Sequence, residues 1–146
     1  MFDRMDPLAS YNFKVELDGI TRAGFKECSG LESTVNAGTY REGTDPTLAL
    51  RSIPGLQTFT NIVLKRGVTN DKALWEWHKL ALEGQAERRN ISIILRDDMG
   101  NDKIWWNVKN CWPTKWSAPS LDAAGDNIAI ETLELAHEGI SVQKWE

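Results

Sequence analysis

The chain has 146 residues, of which 41% are hydrophobic, and its 17 Lys and Arg against 21 Asp and Glu give a net charge of −4. This length suits a single domain over residues 1–146 that folds without disulfide or metal support. The acidic balance argues against nucleic-acid binding. The apolar runs are far shorter than the roughly 20 residues of a membrane span, so we expect no membrane insertion, and the N-terminus shows no signal-peptide pattern.

Strands are predicted at the start of the chain. Apolar and polar residues alternate over residues 11–18, which predicts a strand with one face on a core. A second strand is predicted over residues 21–32, with Ala23 on its apolar face. Gly24 and Gly30 predict bends or bulges in it, because glycine weakens regular pairing inside a strand.

Residues 36–60 show no regular hydrophobic period, and Gly and Pro interrupt them repeatedly. Loops longer than about 12–15 residues are uncommon in compact domains and are often functional. This segment is too apolar for a solvated linker, so it must bury side chains in the domain core or against a neighbouring molecule. Those side chains are Tyr40, Leu48, Leu50, Ile53, Leu56 and Phe59. We therefore expect a long interaction loop at about residues 36–60.

One helix is predicted at about residues 70–84. Thr69 or Asn70 can cap its start, and Gly84 stands where a C-terminal left-handed residue belongs. Its apolar stripe follows the i, i+3, i+4, i+7 spacing and consists of Leu74, Trp77, His78 and Ala81. Such a helix is expected to pack on a sheet.

Further strands are predicted over residues 61–68, 88–96 and 103–111, with a hairpin turn between the last two. The final element, residues 126–142, changes the parity of its apolar positions. It requires a bulge near Glu131 or a strand that is covered on both faces. Six or seven strands and one helix, without βαβ alternation, predict a mainly β, α+β fold: an antiparallel β-barrel or sandwich with one flanking helix.

The sequence offers little for catalysis. His78 and His137 are the only histidines, and a hydrolase site would have to use one of them, whereas a structural histidine is the commoner outcome. Cys28 and Cys111 are isolated and lack metal-ligand spacing. We expect no enzyme activity, no metal and no cofactor.

Seven tryptophans leave a second interpretation open. Exposed Trp105, Trp112 or Trp145 could form a platform on which sugars stack, as in a carbohydrate-binding module. Packing in the core is the alternative, and regular pairing would place Trp112 on the same buried face as Trp106 and Val108.

Several blocks of sequence, in order along nearly the whole chain, resemble the tail tube proteins of contractile phage tails and contractile injection systems. They are residues 11–15 (YNFKV), 24–32 (GFKECSGLE), 40–43 (YREG), 54–56 (PGL), 64–67 (LKRG), 110–116 (NCWPTKW) and 130–139 (IETLELAHEG). The resemblance implies a small β-barrel or sandwich flanked by a helix, similar in fold to type VI secretion ring proteins. It also implies homo-hexameric rings that stack into a hollow tube, which sheath contraction drives through a target envelope.

The resemblance gives the long loop and the strand surfaces a use. We expect ring or subunit contacts from Tyr40, Arg41, Glu42, Leu48, Leu50 and Ile53. We expect an acidic lumen with Lys14, Glu16, Glu131 and Glu134 on its wall. The implied partners are sheath, baseplate or spike and terminator proteins, with protein cargo or DNA in the lumen. Assembly is expected in the bacterial cytoplasm, before the protein becomes part of a phage tail or injection particle.

Overall fold

The fold is described from a computed structural model, which covers residues 6–18, 20–22, 24–44 and 46–146. Its elements in chain order are β1 (Phe13–Leu17), β2 (Ile20–Arg22), β3 (Phe25–Ser29), β4 (Ser33–Tyr40), β5 (Arg51–Phe59), β6 (Ile62–Gly67), α1 (Ala73–Leu82), β7 (Arg89–Arg96), β8 (Asp102–Ser117), β9 (Ile130–Ala136) and β10 (Gly139–Trp145). The predicted mainly β fold with one flanking helix is confirmed for this part of the chain.

Two antiparallel sheets are present in the described residues. The larger has the order β2–β1–β7–β8–β9–β6–β3, and β10 pairs with β8 beside this path. The first half of β8 pairs with β7 and β10, and its second half pairs with β9. Within the described chain, β2, β3 and β10 each have one strand neighbour, so the sheet does not close into a barrel. The smaller sheet consists of β4 and β5 alone.

The core lies between α1 and one face of the large sheet. Alternate residues of the strands supply it, as the period of a strand requires. The central side chains are Val15, Leu17, Ile62, Leu64, Ile91, Ile93, Val108, Leu133 and Leu135 from the sheet, with Leu74 and Trp77 from the helix. Burial of a large apolar side chain contributes roughly 1.5–3 kcal/mol. This cluster therefore holds together the part of the molecule that we call the body, namely α1 and the eight-stranded sheet.

The helix is shorter than predicted, and neither Thr69 nor Asn70 is its N-cap. Asp71 instead accepts a hydrogen bond from the Ala73 amide at 3.0 Å, through Oδ1. The C-terminal prediction is confirmed, because Gly84 has a φ of +77°. The amide of Gln85, the residue after Gly84, donates to the carbonyl of Leu80, as in a Schellman motif.

The predicted strand 21–32 is two strands, β2 and β3, which pair with different neighbours. Gly24 and Gly30 have φ values of +90° and +92°, a backbone region that favours glycine. Both predicted bends are therefore confirmed. Ala23 lies outside the described residues.

Residues 36–60 do not form the irregular loop that the sequence predicts. Most of them belong to an antiparallel hairpin of β4 and β5, and residues 41–50 connect the two strands. Every residue of these strands is exposed except Phe59, which is half-buried. A strand without a buried face is under no pressure to alternate, so the usual sequence signal is missing. We call residues 33–59 the arm.

β8 extends beyond the predicted end at Cys111. Pro113 is buried inside the strand, and the pairing with β9 shifts register between Pro113 and Lys115. The proline thus interrupts the ladder at one point without ending the strand, as expected for proline at an irregularity.

A second irregularity in β8 changes which tryptophans share a face. Asn110 has a φ of +54°, and the pairing with β7 skips residues at this point. Val108 and Cys111 are both buried as a result. The prediction that Trp112 shares the face of Val108 is therefore wrong, because it assumed regular pairing.

The last predicted element is two strands, β9 and β10, joined at residues 137–138. Ile128 precedes β9 and is exposed, whereas Glu131, Leu133 and Leu135 are buried on one face of the strand. The parity change between Ile128 and Leu133 therefore reflects the start of the strand at Ile130. The predicted bulge near Glu131 is absent from this regular pairing.

Candidate functional site

The arm exposes a large apolar surface. The exposed fractions are 88% for Leu48, 79% for Leu56, 63% for Leu50, 52% for Val35, 45% for Tyr40 and 44% for Ile53. Exposed apolar side chains concentrated on one element are typical of a site of interaction with another molecule. The arm is therefore the candidate functional site of the chain.

The six residues predicted to form subunit contacts lie together on the arm. They are Tyr40, Arg41, Glu42, Leu48, Leu50 and Ile53. Two contacts organise the connection between the strands: Arg41 Nε donates to the carbonyl of Thr47 at 3.0 Å, and Tyr40 Oη donates to Glu42 Oε1 at 3.4 Å. The structure thus brings these six residues onto one protruding element, with only Arg41 half-buried.

A close approach of backbones shapes the middle of the arm. The register of β4 and β5 shifts between Val35 and Ala37, and Pro54 lies opposite Ala37. A Cβ on Gly55 would lie 2.9 Å from the carbonyl oxygen of Asn36, so this approach favours glycine. The Pro-Gly pair, which resembles a turn in the sequence, therefore marks an irregularity inside a strand.

The predicted lumen residues lie on different faces. Lys14 and Glu16 alternate with the buried residues of β1 and thus face away from the core. Lys14 pairs with Asp102 at 3.5 Å. Glu134 likewise lies on the outer face of β9, where its Oε1 accepts a hydrogen bond from Asn61 Nδ2 at 3.3 Å.

Glu131 does not fit a channel wall. Its side chain is buried beside Leu133 and Leu135, where Oε1 accepts a hydrogen bond from Arg66 Nε and Oε2 accepts one from Trp116 Nε1 at 3.2 Å. The sequence-based assignment of Glu131 to the lumen is therefore wrong. The strand alternation that turns Glu134 outward turns Glu131 inward.

The tryptophans do not form a common platform in the described structure. Trp105 is half-buried and donates through Nε1 to Asn107 Oδ1 at 3.1 Å, and Trp112 is also half-buried. Trp145 is 68% exposed and contacts Trp106 edge-on, with 6.3 Å between ring centroids. Of the three candidate tryptophans only Trp145 is exposed, so they do not present a shared stacking surface, and this geometry does not favour a carbohydrate-binding module.

The histidines and cysteines show no catalytic arrangement. His78 is buried in the helix face that meets the core, and His137 follows β9, so the two lie on separate elements. Desolvation by burial raises the pKa of both the Cys28 and Cys111 thiols to about 12. Both therefore remain protonated, and poor nucleophiles, near neutral pH.

The described residues contain neither a cluster of metal-binding side chains nor a membrane-spanning helix. No group of three or more His, Cys, Asp or Glu side chains is positioned to bind a metal ion there. In the same part of the chain, no helix has the length and apolar content needed to cross a membrane.

Comparison with known proteins gives consistent results. The family model of the T4-like virus tail tube protein gp19 matches residues 9–141. A chain of the sheath-tube complex of the PVC extracellular contractile injection system has a TM-score of 0.84 and 30% identity, covering 94% of this chain and 92% of its own. A chain of the tube terminating cap of the anti-feeding prophage has a TM-score of 0.88 and 30% identity, covering 99% and 95%.

A more distant structural similarity is found with an Hcp protein. Hcp1 from Flavobacterium johnsoniae has a TM-score of 0.56 and 15% identity, covering 91% of this chain and 95% of its own, and thus shares the fold. No curated protein sequence matches the chain. The family model spans most of the sequence, and two structural relatives reach 30% identity over more than nine tenths of it. The chain therefore belongs to the family of the T4-like virus tail tube protein gp19.

Proposed function

We propose that this tail tube protein is the structural subunit of the inner tube of a contractile injection particle or phage tail. Copies close into hexameric rings, the rings stack into a hollow tube, and sheath contraction drives that tube through a target envelope. The observation that carries the proposal is the arm, because its apolar residues are exposed in the single chain. Exposed apolar surface of this extent is typical of a site that another molecule covers.

Ring closure and ring stacking require two different contacts between subunits. Among the described residues, β2, β3 and β10 each have a strand neighbour on one side only, and pairing with a neighbouring copy would satisfy the backbone groups of their other edges. A head-to-tail contact whose rotation closes generates a ring. The arm then supplies a second contact, to a neighbouring subunit or to the next ring.

The partners follow from the same role. The related structures are of a sheath-tube complex, a tube terminating cap and a tube terminator, which supports sheath and terminator proteins as partners. We propose baseplate or spike proteins as further partners, and protein cargo or DNA in the lumen. The subunit assembles in the bacterial cytoplasm and then forms part of the particle, with a structural rather than catalytic role.

The outer faces of β1 and β9 are candidates for the lumen wall. Lys14, Glu16 and Glu134 lie on these faces. An acidic wall would repel nucleic acid and acidic cargo and so limit adhesion during passage. Glu131 is excluded from this surface because it is buried against Arg66.

Replacement of two arm leucines tests the proposal. The double variant L48S/L50S removes apolar surface from residues that make no contact with the core, so the monomer should keep its stability. We expect normal circular dichroism and thermal unfolding, together with at least a tenfold loss of tubes counted by negative-stain electron microscopy.

The matched control is Leu121→Ser. Leu121 is 87% exposed, like Leu48, but it lies outside the arm. This variant should form tubes at the parental yield. Normal tubes from L48S/L50S, or equal losses in both variants, would contradict the assigned role of the arm.

A further inference from the structure

The arm joins the body through two short linkers, residues 30–32 and 60–61. The linkers touch each other. Thr60 Oγ1 donates to Glu32 Oε2 at 3.2 Å, and a Cβ on Gly30 would lie only 2.1 Å from the carbonyl oxygen of Asn61. The two linkers are therefore in close contact with each other at the base of the arm.

Residues at the end of β9, which belongs to the body, contact the linker of residues 60–61. His137 Nε2 lies 2.8 Å from the carbonyl oxygen of Thr60. A carbonyl only accepts, so Nε2 carries the proton and donates it. The imidazole also lies against Phe59, with 5.5 Å between ring centroids. Three residues earlier, within β9, Glu134 accepts the hydrogen bond from Asn61 Nδ2.

Beyond this base the arm separates from the body. A cleft of about 560 Å³ is lined by Gln57 and Phe59 of β5 on one side and by residues of β7, β8 and β10 on the other. The residues of β4 and most of β5 are exposed. The direction of the arm is therefore set at its base rather than by packing along its length.

We propose that Glu134 and His137 are positioning residues that fix the direction of the arm before subunits meet. The proposal rests on the assembly role of the arm argued above. Glu134 holds linker 60–61 through Asn61, and His137 holds it through Thr60 and Phe59. Neither residue needs to contact a second subunit for this role.

The advantage of a fixed arm is thermodynamic. A surface already in its bound orientation loses less conformational entropy on association than a mobile one. A loosened arm should therefore raise the protein concentration needed for tube formation by about threefold or more, while the chemistry of its apolar surface stays unchanged.

The experiment measures arm direction in isolated subunits by pulsed electron paramagnetic resonance. One spin label replaces Gly43, where the arm connection leaves open space around a Cβ, and the other replaces exposed Glu76 on α1. The background is C28A/C111A, and labelled chains are diluted with unlabelled protein. The test variant is E134L/H137F, which keeps a ring beside Phe59 but removes the acceptor for Asn61 and the donor to Thr60.

The matched control is Glu134→Gln, whose side-chain carbonyl still accepts from Asn61 Nδ2. We expect one narrow distance distribution in the parent and in E134Q, and at least a twofold broader one in E134L/H137F with unchanged helix and sheet circular dichroism. A distribution of equal width in all three proteins would overturn the proposal. This readout does not involve tubes, so it remains separate from failure of the L48S/L50S test, which concerns the apolar contact itself.

Discussion

The buried ion pair of Arg66 and Glu131 connects β6, β9 and the segment before α1. Arg66 Nε donates to Glu131 on β9, while its terminal nitrogens donate to the carboxylate of Asp71 at 3.1 Å and to the Asp71 carbonyl at 2.6 Å. Both Arg66 and Glu131 are nearly inaccessible to solvent. The pair therefore joins β6 to β9 and to the segment that begins the helix.

Removal of one partner from this pair should lower the unfolding free energy more than removal of both partners. Glu131→Leu leaves the Arg66 guanidinium buried without its nearest counter-charge, which typically costs about 3–5 kcal/mol of unfolding free energy. The double variant R66M/E131L removes both charges and should recover most of that loss. Urea unfolding followed by tryptophan fluorescence measures each value. A double variant that loses at least as much unfolding free energy as Glu131→Leu would show that the two charges are not coupled.

At the scale of elements, the arm depends on the sharp bend that leads from β3 into β4. Gly24 and Gly30 share nearly the same φ, but a Cβ on Gly24 meets nothing within 4 Å, whereas one on Gly30 overlaps the Asn61 carbonyl. Gly24→Ala should cost about 1–2 kcal/mol for the left-handed backbone alone. Gly30→Ala should cost clearly more and should also reduce tube yield, because linker 60–61 must move.

Urea unfolding of the two alanine variants, with tube counts from the same preparations, checks this expectation. Gly24→Ala serves as the matched control, because it carries the backbone strain without the overlap. Equal stabilities and equal tube yields for the two variants would mean that the contact between the linkers is easily relaxed.

Elements with one buried face could be predicted from the sequence, and the others could not. β1 and β6 alternate because a core lies on one side of them. The arm strands lack such a face, so their only signal is enrichment in β-branched and aromatic residues such as Val35, Thr39 and Ile53. The bulge at Asn110 has no clear signal in the sequence, so the pattern alone predicts the wrong face for Trp112.

The position of the candidate site in the sequence could be predicted, but its hairpin structure could not. The apolar composition of residues 36–60 indicated that this segment is a candidate for interaction with another molecule, since so many apolar side chains are unusual in a solvated linker. Their arrangement on a hairpin, and its attachment by Glu134 and His137, depend on contacts distant in sequence. For the same reason Glu131 could not be distinguished from Glu134 until strand register was known.

For the whole molecule, charge and apolar surface act against each other during assembly. Each copy carries a net charge of −4, so the six copies of the proposed hexameric ring would carry −24, and stacked rings of that charge would repel one another. The arm contact is apolar and is not weakened by screening. Salt shortens the electrostatic range from about 30 Å at 0.01 M to about 10 Å at 0.1 M.

Salt should therefore promote tube formation. We expect the critical concentration, measured by sedimentation, to fall at least severalfold between 0.01 M and 0.3 M NaCl. The variant Asp126→Lys changes an exposed residue outside the arm and shifts the charge of each copy from −4 to −2, so its dependence on salt should be weaker. L48S/L50S should keep its at least tenfold loss of tubes at either salt concentration, since screening cannot replace the apolar contact. Tubes that dissolve as salt rises would mean that ion pairs between subunits outweigh the net repulsion, and that the arm is not the dominant contact.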